Sequence, residues 1–501
     1  MALTASTYDQ LSDAAREVFL LNGASAVLGW DQETYMPPKG VEHRSRILAH
    51  LSGQAHEKFT SKRFGRLLEQ AETEVKKAPK TSVARANVDE WRRTFDLATK
   101  LPKKLVEANT KAISLGQAAW AKARSESDFA GFAPHLEKLV ALSQEMAQLW
   151  GGKNEPYDAL LDQHERGSTA VEIDKLFTAL RPHVAKIAQE AVARSAAMAP
   201  PEKAMQGACP IEKQQTLNRE VAASIGFDFE AGRIDTTAHP FCSGFGPGDT
   251  RLTTRYDERD FLSSLFGVMH EAGHGMYDQG LPESEWGLPS GTAVSLGIHE
   301  SQSRLWENHV GRSRAFWEKW YPRAVSLFPH LKKLSLDQFL LGVNRAEFSF
   351  IRVEADEATY DLHIMLRFAL ERRLFNGTLL VAEIPDAWNA EFEASFGRTP
   401  PDHRRGCLQD IHWSMGGFGY FPTYTLGNLN SAQLFQAANK KAAVKKGVES
   451  ANYGPLLDWL HTNVHGVGSV LAPGDLMTAA TGKPTDSKAY LKHLKSRFLG
   501  E

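Results

Sequence analysis

Over most of its length this chain repeats apolar residues three and four positions apart, the spacing of one helix face. Segments such as VEHRSRILAHLSGQAHEKF (residues 41–59) and FAPHLEKLVALSQEMAQLW (residues 132–150) carry the pattern clearly. Each such face must find a partner, and 501 residues at 42% hydrophobic content can bury a large core. WDQETYMPPKG (residues 30–40) interrupts the first helices at Pro37 and Pro38. Long helices are expected again towards residue 198 and from about residue 210 to Ile225. The texture then changes to GRIDTTAHPFCSGFGPGDTRLTTRYD (residues 232–257), rich in Gly, Thr and Pro, in which TRLTTRY reads as a short strand able to wall a cleft. Helices are expected over residues 312–395, then a compact loop holding GCLQDIHWSMGGFGYFPTYTLGN (residues 406–428), then helices to the end. The expectation is a mainly α fold with a small β element. No repeat or low-complexity linker divides it, so residues 1–501 read as one large domain, with two lobes flanking a central cleft as a variant.

Composition narrows the function classes. A net charge of −2 with 24% charged residues supplies no global basic field for nucleic acid or anionic membrane. The three cysteines, Cys209, Cys242 and Cys407, are too few and too scattered for a disulfide scaffold or a thiolate zinc cluster, and they suit a reducing compartment. No run approaches the roughly 18 apolar residues of a membrane span, and the start lacks the charged and apolar regions of a secretory leader. A soluble cytoplasmic protein is expected.

The stretch LFGVMHEAGHGMYDQG (residues 265–280) supplies chemistry. If Asp260–Met276 is helical, His270 and His274 lie on adjacent turns of one face and both imidazoles can meet one metal ion. Glu271, beside that axis, can take a proton from water activated there, which is the physical reason for the H-E-x-x-H spacing. The five-residue string alone arises by chance in roughly a few per cent of chains this size, so a third ligand is required. HESQS supplies Glu300, which lies far enough beyond Glu271 for a turn and a second packed helix. Two histidines and a glutamate leave one position open, a catalytic rather than structural pattern. His299 is an alternative ligand or a partner behind the ligands. Taken singly, a histidine beside Val268 and Met269 is more often plain core, and Glu271 could be a buried structural carboxylate; a nearby metal removes the cost of burying that charge.

The other polar islands lie around this centre. His412, Tyr420 and Tyr424 can assist an oxyanion, and a tyrosine is favoured; the glycines around them suggest a shaped loop. Arg352 follows the apolar AEFSFI and either pairs with Glu354 or Asp356 or clamps the free carboxylate of a peptide, which would make the enzyme an exopeptidase. Arg251 competes for that role. His239 in HPF and His412 either contact substrate or hold loops, and Asp356 and Asp410 are candidates to orient histidines.

HPF, DTRLT, HEAGH, HESQS, IRVEAD, GCLQDIHW and WDQETYMPPKG together resemble the carboxypeptidase Taq family of metallocarboxypeptidases, M32, over essentially the whole chain. The resemblance implies His270, His274 and Glu300 as ligands and Glu271 as the catalytic acid and base. It implies a helical fold with a deep groove, akin to neurolysin and angiotensin-converting-enzyme-like peptidases, and a homodimer. It implies zinc, with cobalt as an alternative, and removal of C-terminal residues with broad side-chain tolerance and poor use of proline. It favours Arg352 and His412 around the substrate carboxylate, with a tyrosine of GYFPTY helping. Two rivals remain at this stage: a zinc endopeptidase or dipeptidase on the same ligands, and a noncatalytic helical binding protein with a structural metal.

Overall fold

The computed structural model describes residues 6–237 and 240–501. Helices Thr7–Thr34, Val41–Phe59, Lys62–Val75, Val83–Lys100, Lys103–Glu126 and Phe129–Trp150 open the chain, and the long helix Ala170–Met198 follows. Starts are marked by side-chain caps: Asp128 accepts from Gly131 N–H at 3.0 Å and Thr169 from Glu172 N–H at 3.3 Å. The first helix runs through WDQET to Thr34 before Pro37 stops it, so the interruption falls later than Trp30, whose indole is buried. No described helix is long and apolar enough to cross a membrane.

Two large apolar cores hold the molecule. One gathers Leu136 and Leu139, Phe177 and Leu180, Leu366, Phe368 and Trp388. The other gathers Leu217, Val221, Leu265, Met269, Trp306, Trp317 and Phe339. Helix Pro422–Ala438 belongs to both: Leu426 and Leu429 enter the first core and Leu434 and Ala438 the second. A smaller cluster of Leu11, Phe64, Leu68, Val88 and Trp91 ties the N-terminal helices together.

The expected strand is one of three. β1 (Gly232–Thr236) pairs in parallel with β3 (Asp249–Thr254), Ile234 opposite Leu252; β2 (Cys242–Gly246) pairs antiparallel with β3, Cys242 opposite Leu252, and its register shifts between Gly244 and Gly246. Leu252 lies against helix Phe261–Gln279, so the sheet backs the element that carries the histidines.

Two expectations are corrected. Residues 345–359 are not continuous helix; short turns form at Arg352–Glu354 and at residues 357–359. Several of their backbone N–H groups are taken by side chains instead: Ala346 by Ser195, Glu347 by Asp356 and Arg352 by Gln409. Conversely, the glycine-rich loop ends at Phe421. Pro422, with its preset φ and no N–H to lose, starts a helix, so Tyr424 is helical while Tyr420 stays on the loop.

Candidate metal centre

Helix Phe261–Gln279 begins where Asp260 caps it, its Oδ1 accepting from Leu262 N–H at 2.9 Å. Helix Leu296–Arg304 is held at its start by Ser295, which accepts from Ile298 N–H at 3.2 Å. The buried Glu165 accepts from the Ser295 hydroxyl at 3.0 Å and from Gly297 N–H at 2.9 Å, and burial raises its pKa to about 7. Two glycines allow the three site helices to touch. A Cβ on Gly273 would lie 2.6 Å from the Gln302 carbonyl oxygen, and one on Gly427 would lie 2.4 Å from Glu300 Cγ. Glu300 is therefore pressed between the histidine helix and helix Pro422–Ala438.

This packing brings the three expected ligands together. Glu300 Oε2 lies 3.6 Å from His270 Nε2 and 3.4 Å from His274 Nε2, and one donor atom from each residue falls within 4.8 Å of the others. The opposite ring nitrogens fix the tautomers. Glu307 Oε2 sits 2.9 Å from His270 Nδ1; a carboxylate only accepts, so Nδ1 carries the proton and Nε2 keeps its lone pair in the neutral ring. Asp278 Oδ1 lies 3.1 Å from His299 Nε2, which must then donate, leaving His299 Nδ1 to accept from His274 Nδ1 at 2.5 Å. His299 thus stands behind an expected ligand. Among the described residues neither Asp356 nor Asp410 hydrogen-bonds a histidine: Asp356 accepts from Glu347 N–H, Ala358 N–H and the Thr359 hydroxyl, and Asp410 is occupied by two arginines.

The charges suit a cation. Burial opposes a proton on His270, but Glu300, Glu307 and Glu271 together raise its pKa to about 9. Burial pushes His274 down to about 4, so that ring is neutral and ready to ligate. With no metal, a proton on His270 answers the surrounding carboxylates; a divalent ion satisfies the same charge through the donors already aimed at it. Burial raises Glu271 to about 7, and its carboxylate accepts no hydrogen bond among the described residues, which leaves it available for proton transfer. A second His–His–Glu cluster exists among the described residues, His309, Glu357 and His493. There the cation is already present, since Arg497 lies 3.6 Å from Glu357 Oε2.

Arg352, His412, Tyr420 and Tyr424 form a polar wall. The Tyr424 hydroxyl is 3.2 Å from His412 Nε2, and the Arg352 guanidinium lies 4.9 Å from the Tyr424 ring centre. Burial and then the Arg352 cation push His412 down to about 3. Arg352 pairs with neither Glu354 nor Asp356; its partner is Asp410, through Nε at 3.0 Å and Nη2 at 2.8 Å, and Nη1 reaches the Tyr360 hydroxyl at 2.7 Å. Asp410 also holds Arg367 at 2.6 Å. One carboxylate between two guanidinium groups leaves a buried surplus of positive charge. Arg251 has no such surplus: Asp249 takes its Nε and Nη2 at 2.8 and 2.7 Å, and it lies over Trp30 and Phe245. His239 lies outside the described residues.

Several of these residues were legible only as spacing. Asp278 stands four positions after His274, and Arg304 and Glu307 stand four and seven after Glu300, each on the ligand's own helical face. Glu165, Tyr360 and Arg367 carry no such signal.

A helical fold with two imidazoles and a carboxylate converging beside a buried glutamate suits a metallopeptidase-type centre. Comparison with known proteins makes the class specific. The model of the carboxypeptidase Taq (M32) metallopeptidases matches residues 10–498. Thermostable carboxypeptidase 1 of Thermus thermophilus is 40% identical over 503 residues and carboxypeptidase 1 of Bacillus subtilis 34% over 506, each with 98% of both chains covered. The crystal structure of the M32 carboxypeptidase from Deinococcus radiodurans R1 superposes with a TM-score of 0.94 at 35% identity, covering 99% of both chains. The chain belongs to the carboxypeptidase Taq (M32) family of metallopeptidases. It is a metal-dependent carboxypeptidase acting on peptides.

Proposed function

We propose that His270, His274 and Glu300 hold a zinc ion, that Glu271 is the general acid and base, and that Arg352 receives the C-terminal carboxylate of the peptide. The observation that supports the ligand assignment is the convergence of His270 Nε2, His274 Nε2 and Glu300 Oε2, with both Nδ1 atoms engaged from behind. The bound cation supplies Lewis-acid polarisation of the scissile carbonyl and of the attacking water. Glu271 takes the proton from that water and returns it to the departing amino group. The Tyr424 or Tyr420 hydroxyl, with neutral His412 behind Tyr424, donates to the oxygen on which negative charge develops. A substrate carboxylate neutralises the charge surplus of Arg352, Arg367 and Asp410, which favours Arg352 over Arg251 as the clamp.

Broad side-chain tolerance, poor use of proline, a homodimer and a single catalytic unit over the whole chain accompany this reading on family grounds. Three unpaired cysteines support residence in a reducing compartment. Anomalous diffraction above and below the zinc edge tests the metal assignment. A peak between the three donor atoms is expected, and its absence from protein that removes C-terminal residues contradicts it.

A further inference from the structure

One guanidinium touches two of the groups that fix the ligand set. Arg304 Nε lies 2.6 Å from Glu300 Oε1, the oxygen not facing the histidines, and Arg304 Nη1 lies 3.4 Å from Glu307 Oε2, the atom that orients His270. The guanidinium is itself held face-on, 4.6 Å from the Tyr360 ring centre, and the Tyr360 hydroxyl bonds Arg352. Past Arg304 the helix widens, Gly311 N–H reaching back five residues to the Trp306 carbonyl at 2.9 Å. Wide turns of this kind recur at functional sites, and this one lies just beyond Arg304 and Glu307.

We infer that Arg304 is a positioning residue that reserves Oε1 of Glu300, so that this carboxylate offers the metal one oxygen rather than two; the inference rests on the ligand assignment above. A free carboxylate chelates readily through both oxygens. Doing so here would fill the position that a catalytic centre keeps open for water and substrate. Lysine cannot substitute. Its single ammonium is a point charge without the planar fork that spans Glu300 and Glu307 at once.

The test uses cobalt(II) loaded into the full-length protein, because the intensity of its visible absorption reports coordination number independently of turnover. In Arg304→Lys, which keeps the charge, the visible molar absorption is expected to fall by roughly half as Glu300 closes on the metal through both oxygens. Cobalt affinity, read by chelator competition, is expected to fall about 10-fold as Glu307 loses one of its two arginines. Arg312→Lys is the control: Arg312 pairs with Glu307 at 3.4 Å and does not bond Glu300, so the spectrum should match the parent's. An affinity loss in Arg304→Lys with an unchanged spectrum overturns the inference and leaves Arg304 a counter-charge. Glu300→Ala separates the two levels. If it keeps the parent's spectrum and affinity, the ligand assignment itself fails and the inference fails with it.

Discussion

His299 Nδ1 lies 2.5 Å from His274 Nδ1, so one imidazole sets the tautomer of another. The direction of donation is fixed from the far end, because Asp278 only accepts and His299 Nε2 must therefore donate to it. Replacing His299 by Ala, or Asp278 by Ala, should weaken metal binding by about 10- to 100-fold while leaving the fold intact. Chelator competition followed by circular dichroism checks both statements.

Glu271 has a different signature. It is not a ligand in this arrangement, so Glu271→Gln should retain metal at parent stoichiometry while kcat drops by about 100- to 10,000-fold. Metal content by elemental analysis, paired with steady-state kinetics, separates a lost base from a lost ion.

Close approach at Gly427 makes a sharp steric prediction. A methyl group there would meet Glu300 Cγ at 2.4 Å, well inside contact distance, and a packed helix cannot yield freely. Gly427→Ala should cost about 1–3 kcal/mol of stability and reduce metal occupancy with it. Thermal unfolding with and without chelator measures both effects.

Acid should unfold the protein through the second His–His–Glu cluster. Burial opposes the charge on Glu357, but His493 at 2.9 Å, Arg497 and His309 bring its pKa down to about 2. A depressed carboxyl pKa contributes stability above its unfolded value, near 4.5, and loses it as pH falls towards 2. Full protonation there costs on the order of 3 kcal/mol. Burial, joined by neighbouring positive charges, lowers His309 and His493 below the usual value of 6.5, so the unfolded state takes up their protons first and stability begins to fall below that pH. Denaturant midpoints should decline from about pH 6.5 downwards, and Glu357→Gln should flatten the limb below pH 4.5.

Particular residues show what a sequence exposes and what it hides. The His270/His274 helix was legible because its function is written at helical spacing within one element, and Glu300 because it stands far enough beyond Glu271 for a turn and a second packed helix and completes a His, His, Glu set. The strand in TRLTTRY was visible in its β-branched residues, but its partners were not: β1 and β2 earn their pairing from β3 and from the helix behind it. The partner of Arg352 is hidden from local spacing for the same reason. Local spacing pointed to Glu354 or Asp356, whereas Asp410 arrives from 58 residues away on a turn shaped by backbone-to-side-chain bonds. Tyr424 was expected on a loop because the glycines before it obscured the helix start at Pro422.

The carboxylate clamp bears most directly on the account, and mass spectrometry of peptides supplied in free and amidated forms measures it. The metal-loaded enzyme should remove single residues from the free forms only. Arg352→Lys, which gives up the fork geometry, should lose about 100-fold or more in kcat/KM on those free forms. Cleavage of amidated peptides at a comparable rate, or parent-like kinetics in Arg352→Lys, would contradict the clamp assigned to the arginine pair on Asp410.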